Sequence, residues 1–461
     1  MTITSPDLVS QKRLTFGFVE GLRQHLRRRW QWRTSRSRNP RVTVVSQFFP
    51  PDFAATGQLL DDLTDRLARD GMQVQVLTGM PAYAYNRSEA ERIEFQPNRC
   101  IRRTQASRFW PQRVRGRAVN GILYCLRISL RLLRYSRRGD LIMYTTEPPY
   151  LPLLGWMLHR LTRTPYIALL YDIYPDVLVE LGVLPAGHWL VKLWRQINCW
   201  MFTDAQELIV LSEPMAERVR RWAPQVAHKI RVIVSWADPD LIRPLPKRDN
   251  WFVQKHQLEN CFTVLYSGNQ GRCHDLVTVL AAALLLRHDP QLQFLFVGSG
   301  PQNDRLRKLV HDWGLGNCRF LPYQDLEDLP YSLASADLAL VTLSVEAEGL
   351  VAPSKLYGHL AAGTPIAAIT PPDSYLRQQV ETHGCGRWFA NGDADGLAIW
   401  IKKLKENPTY AKAYGSAARR LLEHTATPTI TAAQYRDVIR RHLPEQKLVD
   451  PFQPTTDQPR F

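Results

Sequence analysis

At 461 residues the chain is too long for one ordinary α/β core and suits two domains of comparable size. Apolar residues make up 45% and aromatic residues 10%, which excludes a largely disordered chain and leaves disorder as an expectation only before about residue 39 and after about residue 444. The net charge of +16 is uneven: residues 1–40 carry nine Lys/Arg against two acids, and residues 101–139 carry eleven Arg and no acid. The remainder is close to neutral, so the basicity belongs to two patches.

In chain order, residues 41–47 (RVTVVSQ) predict a buried parallel strand, followed by a turn through Phe49-Pro50-Pro51 and a helix over 58–70. A second strand over 73–77 completes a β-loop-α-β unit, the opening of a doubly wound sheet. Further strands are predicted at 141–144, 166–170, 207–211 and 230–234, and residues 243–250, rich in Pro, Lys and Asp, read as a linker. The pattern then restarts. Strand 263–266 runs into Ser267-Gly268-Asn269-Gln270-Gly271 and a helix over 276–287; strand 293–297 runs into Gly298-Ser299-Gly300-Pro301 and a helix over 304–313. Strands at 319–321, 338–342 and 366–369 follow, and helices at 394–407, 409–425 and 431–443 close the chain.

Seven scattered cysteines without a CxxC pair argue against a zinc site or disulfide framework and for a reducing compartment. The N-terminus lacks the apolar run of a secretory signal, and the longest apolar stretches fall short of the ~20 residues needed to span a bilayer. A cytoplasmic protein is expected.

Three loops carry the candidate chemistry. The turn at 268–272 lies between strand and helix, where backbone N–H groups approach a phosphate, with Arg272 and His274 at the same mouth. The Gly298–Pro301 turn is similar and equally open to a structural reading. In the third, Pro353-Ser354-Lys355 opens a helix that stops at Gly363, with Ser354 at or beside the N-cap. A cation in a first helical turn opposes the helix dipole, so Lys355 is best explained by an anion facing it. Asp238-Pro-Asp240 and Asp393-Ala-Asp395 read as structural acids; no metal is expected.

The ordered set FFPPDFAATGQLLDDLTDRLARDG, LLYDIYPDVLVELG, VIVSWADPD, YSGNQGRCHD, FVGSGP, SADLALVTL and PSKLYGHLAAGTPI resembles the retaining glycosyltransferases of family four, over about residues 41–443. The branch it looks like makes bacterial exopolysaccharides and O-antigens. The resemblance implies a GT-B fold, two Rossmann-like doubly wound domains facing across a cleft. It divides the chain into a basic extension (1–40), an N-terminal acceptor and membrane domain (41–242), a linker (243–260), a C-terminal donor domain (261–430), and a helix and tail (431–461). It also implies a UDP- or GDP-linked sugar donor, transfer with retention, and no cofactor.

Carried over residue by residue, Gly268, Asn269 and Gly271 match the family's diphosphate turn, with Asn269 and His274 where relatives place Arg and Lys. Arg272 and Lys355 are the cations that would compensate. Tyr323 lies in the matching base-binding loop, and Thr56-Gly57 in the loop that approaches the diphosphate on closure. Asp172 stands beside Tyr171, where relatives have His-Asp. The family's second Glu falls on Gly358, which puts ribose recognition in doubt, and Glu348 is the acid favoured to contact sugar hydroxyls. Asp172, Glu348, Lys355 and Arg272 are therefore the expected catalytic group, and Gly57, Gly268, Asn269, Gly271, His274, Tyr323 and Ser354 the donor-binding one.

Arg127, Arg131, Arg134 and Arg138 share one helix face beside Leu123, Leu126, Leu130 and Leu133. With the run Arg27-Arg28-Arg29-Trp30-Gln31-Trp32-Arg33, they suit the anionic inner face of the cytoplasmic membrane and a lipid-linked acceptor, with the leucines turned into the domain. Nucleic acid is the weaker rival, since no nucleic-acid-binding motif accompanies the charge. A non-catalytic sugar-nucleotide-binding subunit and a nucleotide-sugar 2-epimerase are the competing functions.

Overall fold

A computed structural model describes residues 40–52, 54–81, 90–105, 114–135 and 140–443; Arg138 and the basic run at 27–33 lie outside them. The N-terminal sheet contains β1 (Arg41–Val45), β2 (Gln73–Gly79), β3 (Ile93–Gln96), β4 (Arg99–Thr104), β5 (Leu141–Thr145), β6 (Tyr166–Leu170), β7 (Glu207–Val210) and β8 (Ile230–Val232). Their order is β3-β4-β2-β1-β5-β6-β7-β8, parallel except for the β3–β4 pair. Helices α1 (Ala55–Arg69), α2 (Val114–Tyr135), α3 (Leu151–Thr162) and α4 (Trp189–Asp204) belong to this domain. Strands β1, β5 and β6 are apolar nearly throughout, as strands covered on both faces must be, and almost every residue in them is buried.

The C-terminal sheet is all parallel: β9 (Phe262–Ser267), β10 (Leu292–Val297), β11 (Cys318–Leu321), β12 (Leu338–Thr342), β13 (Ile366–Ile369) and β14 (Gly386–Phe389), in the order β11-β10-β9-β12-β13-β14. Around it lie α5 (Val277–Leu285), α6 (Lys355–Ala361) and α7 (Pro408–Thr425). The strand order reverses between β1 and β5 in the first sheet and between β9 and β12 in the second. A crevice opens at the carboxyl ends of the strands at such a switch point, and that is where open α/β sheets bind ligands.

Two features depart from the sequence expectations. The basic segment from residue 101 begins inside β4, not on a surface patch: Arg99 and Arg103 are buried, paired with Asp61 and Glu94. Helix α2 also presents the other apolar side to the core. Tyr124, Cys125, Ile128 and Leu132 are buried, while Leu126, Leu130 and Leu133 are exposed, Leu130 by 70%. Two apolar stripes run along this helix, and the sheet takes the one containing the larger Tyr124 ring.

The last described helix returns to the N-terminal domain. Helix α8 (Pro428–His442) packs Ala432, Tyr435, Val438 and Ile439 into the N-terminal core. Tyr435 meets Trp236 edge to face at 6.1 Å, and Arg436 pairs with Asp70 at 2.9 Å. Tyr435 is 1% exposed, so Tyr435→Ala should destabilise the protein by about 3–5 kcal/mol in urea unfolding; a loss below about 1 kcal/mol would contradict this packing.

Candidate active site

The carboxyl end of β9 delivers the first glycine turn. Gly268 sits at φ +132, in the region that favours glycine, and a Cβ there would lie 3.3 Å from Lys355 Cε. The second turn props the first. A Cβ on Gly298 would stand 2.2 Å from the Gly268 carbonyl oxygen, and Gln270 N–H donates to Ser299 O at 2.9 Å. Tyr323 Oη donates to the same Ser299 carbonyl at 2.9 Å. The Gly298–Pro301 turn, open to two readings in the sequence, is thus a buttress.

Into the space left by Gly268 reaches Lys355, from the start of α6. Its Nζ donates to Tyr266 Oη at 2.6 Å and to His274 Nε2 at 3.0 Å, and lies 4.3 Å from the Tyr266 ring centre. The other imidazole nitrogen, Nδ1, is 2.7 Å from the Thr342 carbonyl, which can only accept. That assigns the proton to Nδ1 and leaves Nε2 as the acceptor for Lys355. Burial, followed by the neighbouring ammonium, pushes His274 down to about 3, so it stays neutral. Burial likewise lowers Lys355 to about 7. No carboxylate pairs with this ammonium among the described residues. His274, expected to touch the donor directly, is occupied in holding Lys355.

Asn269 and Arg272 are exposed on the turn, and Gly271 is half-buried behind them. Ser354 occupies the N-cap position with helical backbone angles, and its side chain makes no capping bond, contrary to a side-chain-capped start. Gly358 faces Leu333 Cδ1, so no acid projects from this part of α6. Glu346 is exposed, whereas both carboxylate oxygens of Glu348 are buried without a hydrogen-bond partner. Burial raises the Glu348 pKa, while Ser374 and the Tyr375 and Gly349 N–H groups pull it back. Asp238 caps its own turn through the Asp240 and Leu241 N–H groups, and Asp393 accepts from Gly396 N–H at 2.9 Å, so both DxD matches serve local structure.

The N-terminal domain contributes acids. Glu147 follows β5 and Asp172 follows β6, at the ends of adjacent strands. Thr56 Oγ1, in the first turn of α1, donates to Glu147 Oε2 at 2.7 Å. Next to it Gly57 is pressed against the chain, since a Cβ there would lie 3.1 Å from Phe48 and Phe49 backbone atoms. Burial, then the charge of Asp172, pushes Glu147 up to about 7 against the pull of the Thr56 hydroxyl; burial pushes Asp172 up to about 6.

The two halves meet here. Asp172 forms an antiparallel bridge with Val351, and Ile173 N–H donates to Leu350 O at 3.0 Å. Cys273, in the glycine turn, is pushed up to about 11 by burial and then by Asp172, while Lys355 pulls it down. Asp172 of one domain and Lys355 of the other therefore both lie within electrostatic reach of one thiol. Two acids without an ion pair and an ammonium without one, among the described residues, are thus brought near the junction of the two domains, which suits a ligand carrying both phosphate and hydroxyl groups.

Residues 54–236 match the family model described as Glycosyl transferase 4-like domain, and residues 247–421 match Glycosyl transferases group 1. The chain belongs to the family-four glycosyltransferases of GT-B fold. It is 23% identical over 408 residues to a probable glycosyltransferase, WbjE, of Pseudomonas aeruginosa, covering 88% of this chain and 100% of that protein. It is 38% identical over 183 residues to WcaI of Escherichia coli K12, a putative colanic acid biosynthesis glycosyl transferase, covering 40% and 44% of the two chains. The solved Anabaena protein Alr3699/HepE, in complex with UDP and glucose, shares the fold at a TM-score of 0.64, with 17% identity over 87% of this chain and 99% of its own.

For this glycosyltransferase the sequence reading missed Glu147 and Tyr266. Tyr266 is a buried strand aromatic with no sequence signal beyond core. Glu147 had one: an acid immediately after an apolar strand, at the switch point of the first sheet.

Glu147 also makes a test of the site electrostatics. Its folded-state pKa, about 7, lies above the ordinary 4.5, so stability declines as pH rises from 4.5 through 7 and stays lower beyond. Glu147→Gln removes that cost: its Tm should exceed that of the wild type by a few degrees at about pH 8, and the gain should vanish by about pH 4.5. A gain independent of pH would contradict the assignment.

Proposed function

We propose that the protein moves a sugar from a UDP- or GDP-linked donor to a hydroxyl of a lipid-linked acceptor, with retention and without a metal, in bacterial cell-surface polysaccharide synthesis. The observation that carries this reading is Lys355, a buried ammonium beside a glycine turn with no carboxylate partner among the described residues. A diphosphate supplies the missing counter-charge. As the bond to the sugar breaks, the leaving phosphate gains charge, and Lys355, the 268–271 N–H groups and Arg272 stabilise it. Glu348, whose carboxylate oxygens are buried, would accept from a sugar hydroxyl, and Tyr323, held on the Ser299 carbonyl, would lie on the base side of the donor. The names of two comparison proteins support the substrate class, one solved with UDP and glucose and the other assigned to colanic acid synthesis.

Nucleotide binding is tested by thermal shift with UDP and GDP. The wild type should gain several degrees with one of them, and Lys355→Met should lose the gain while keeping its own transition. Affinity should fall as pH rises through about 7, where Lys355 loses its proton, and the fall should be absent in Lys355→Met. Equal stabilisation of both proteins would remove Lys355 from the phosphate site.

The acceptor face supports a membrane location by a different route from the one the sequence suggested. No helix among the described residues is long and apolar enough to cross a bilayer. Instead Leu126, Leu130 and Leu133 of α2, Leu161 of α3 and Trp189 and Leu193 of α4 stand exposed on neighbouring helices. Beside them Arg131 and Arg134 line a 620 Å³ cleft with Ile93, Arg102, Leu130 and Leu133. Exposed leucines and tryptophans flanked by arginines suit the headgroup boundary of an anionic bilayer. The protein should float with anionic vesicles, and a Leu130→Glu, Leu133→Glu double variant should stay in the soluble fraction. Absence of flotation by the wild type would overturn the membrane reading.

A further inference from the structure

Glu147 and Asp172 form a costly pair. Both are partly buried, both lie at the carboxyl ends of adjacent strands, and neither has an ion pair among the described residues. By contrast three buried acids of this domain, Asp140, Asp176 and Glu207, each face an arginine. Two carboxylates kept side by side without a cation oppose folding, and such pairs persist where chemistry uses them.

The two acids are not equivalent. Asp172 has its backbone fixed in the bridge to Val351, and its side chain makes no hydrogen bond among the described residues. Glu147 is aimed: Thr56 holds Oε2 at 2.7 Å, and Oε1 takes no hydrogen bond among the described residues. The groups facing Glu147 are the Thr56 hydroxyl from α1, and Asp172 and Tyr171 from the end of β6; beyond Asp172, Cys273 approaches from the glycine turn of the other domain. Glu147 thus sits between Thr56 and Asp172, two positions that the family motifs mark in the sequence.

We propose that Glu147 is the group that accepts the proton of the acceptor hydroxyl during sugar transfer, with Thr56 as its positioning partner. This deepens the glycosyltransferase reading and rests on it. In the step, the acceptor O–H bond breaks and its proton goes to Glu147 Oε1. The freed electron pair forms the new bond from the acceptor oxygen to the anomeric carbon, on the same face that the diphosphate leaves, as retention requires. The bond from that carbon to the diphosphate breaks, and its electron pair leaves on the nucleoside diphosphate, stabilised by Lys355. Glu147 returns the proton to water once the products leave. A carboxylate poised near neutrality suits this task, since it is ionised in the working enzyme yet basic enough to take a proton as the acceptor oxygen loses electron density.

The test is the pH dependence of transfer, measured on the full chain with a labelled sugar nucleotide and membrane extract, for the wild type, Glu147→Gln and Thr56→Val. The wild type should lose turnover below about pH 7 as Glu147 becomes protonated. Glu147→Gln keeps an acceptor oxygen for Thr56, so nucleotide-induced stabilisation should be retained. Its kcat should fall by about 100-fold or more, and its residual rate should lose the acidic limb. Thr56→Val removes the hydroxyl that stabilises the carboxylate; the limb should move to higher pH, with kcat recovering in alkaline buffer. A merely structural threonine would lower the rate without moving the limb. Glu147→Gln turning over within about threefold of the wild type with the limb intact would overturn the proposal. Should Glu147→Gln lose nucleotide stabilisation, the Thr56→Val limb decides: unmoved, it overturns the proposal. A wild type that transfers no sugar from any donor instead overturns the glycosyltransferase reading, and the proposal with it.

Discussion

Lys355 is a positive charge in a place that gives it no negative one. Its ammonium is held by a phenol and a neutral imidazole, and the surroundings are arranged to keep it so. Gly268 leaves space for its stem, and the Gly298 turn fixes Gly268 from behind. The Thr342 carbonyl sets the tautomer of His274, which makes the ring an acceptor, not a competitor. These contacts come from the ends of β9, β10 and β12, so the doubly wound topology is what assembles them. Removing a buried charge from water is expensive, and a ligand bearing phosphate recovers that cost on binding.

The N-terminal domain carries the opposite deficit. Glu147 stands at the switch point of its own sheet and Asp172 at the end of the next strand, and the bridge between Asp172 and Val351 ties that end to the second domain. Helix α8 reinforces this seating by returning from the second domain to the first, where Tyr435 packs against Trp236. A donor bound on one side and an acceptor hydroxyl on the other would then meet between an ammonium and a carboxylate. On the proposed reading the C-terminal half would handle the leaving phosphate and the N-terminal half the incoming hydroxyl.

Much of the fold was legible in the sequence because its signals are local. Apolar strands, glycine turns and a Pro-rich junction mark two βα domains, and the motif order places the family. What escaped needed distance information. Strand β4 reads RCIRRT, and nothing in those letters says that Asp61 and Glu94 wait to neutralise its arginines. On α2 both apolar stripes fit a helical period, and only packing decides which one the sheet covers. Within the site, Lys355 stood out because a cation at a helix start contradicts the local electrostatics. Its partners Tyr266 and His274 lie 89 and 81 residues away, and the role of His274 as a support emerged only from the contact. Glu147 looked ordinary until Thr56 and Asp172 were brought to it from remote parts of the chain.

The central claim is that Lys355 works on the phosphate of a sugar nucleotide. Transfer of label from a panel of radioactive UDP- and GDP-sugars into an organic-extractable product, with bacterial membrane extract as acceptor, tests it most directly. The account predicts lipid-soluble label from one donor class with the wild type, and a loss of orders of magnitude with Lys355→Met. Epimerised donor without transfer, or equal transfer by the two proteins, would contradict it.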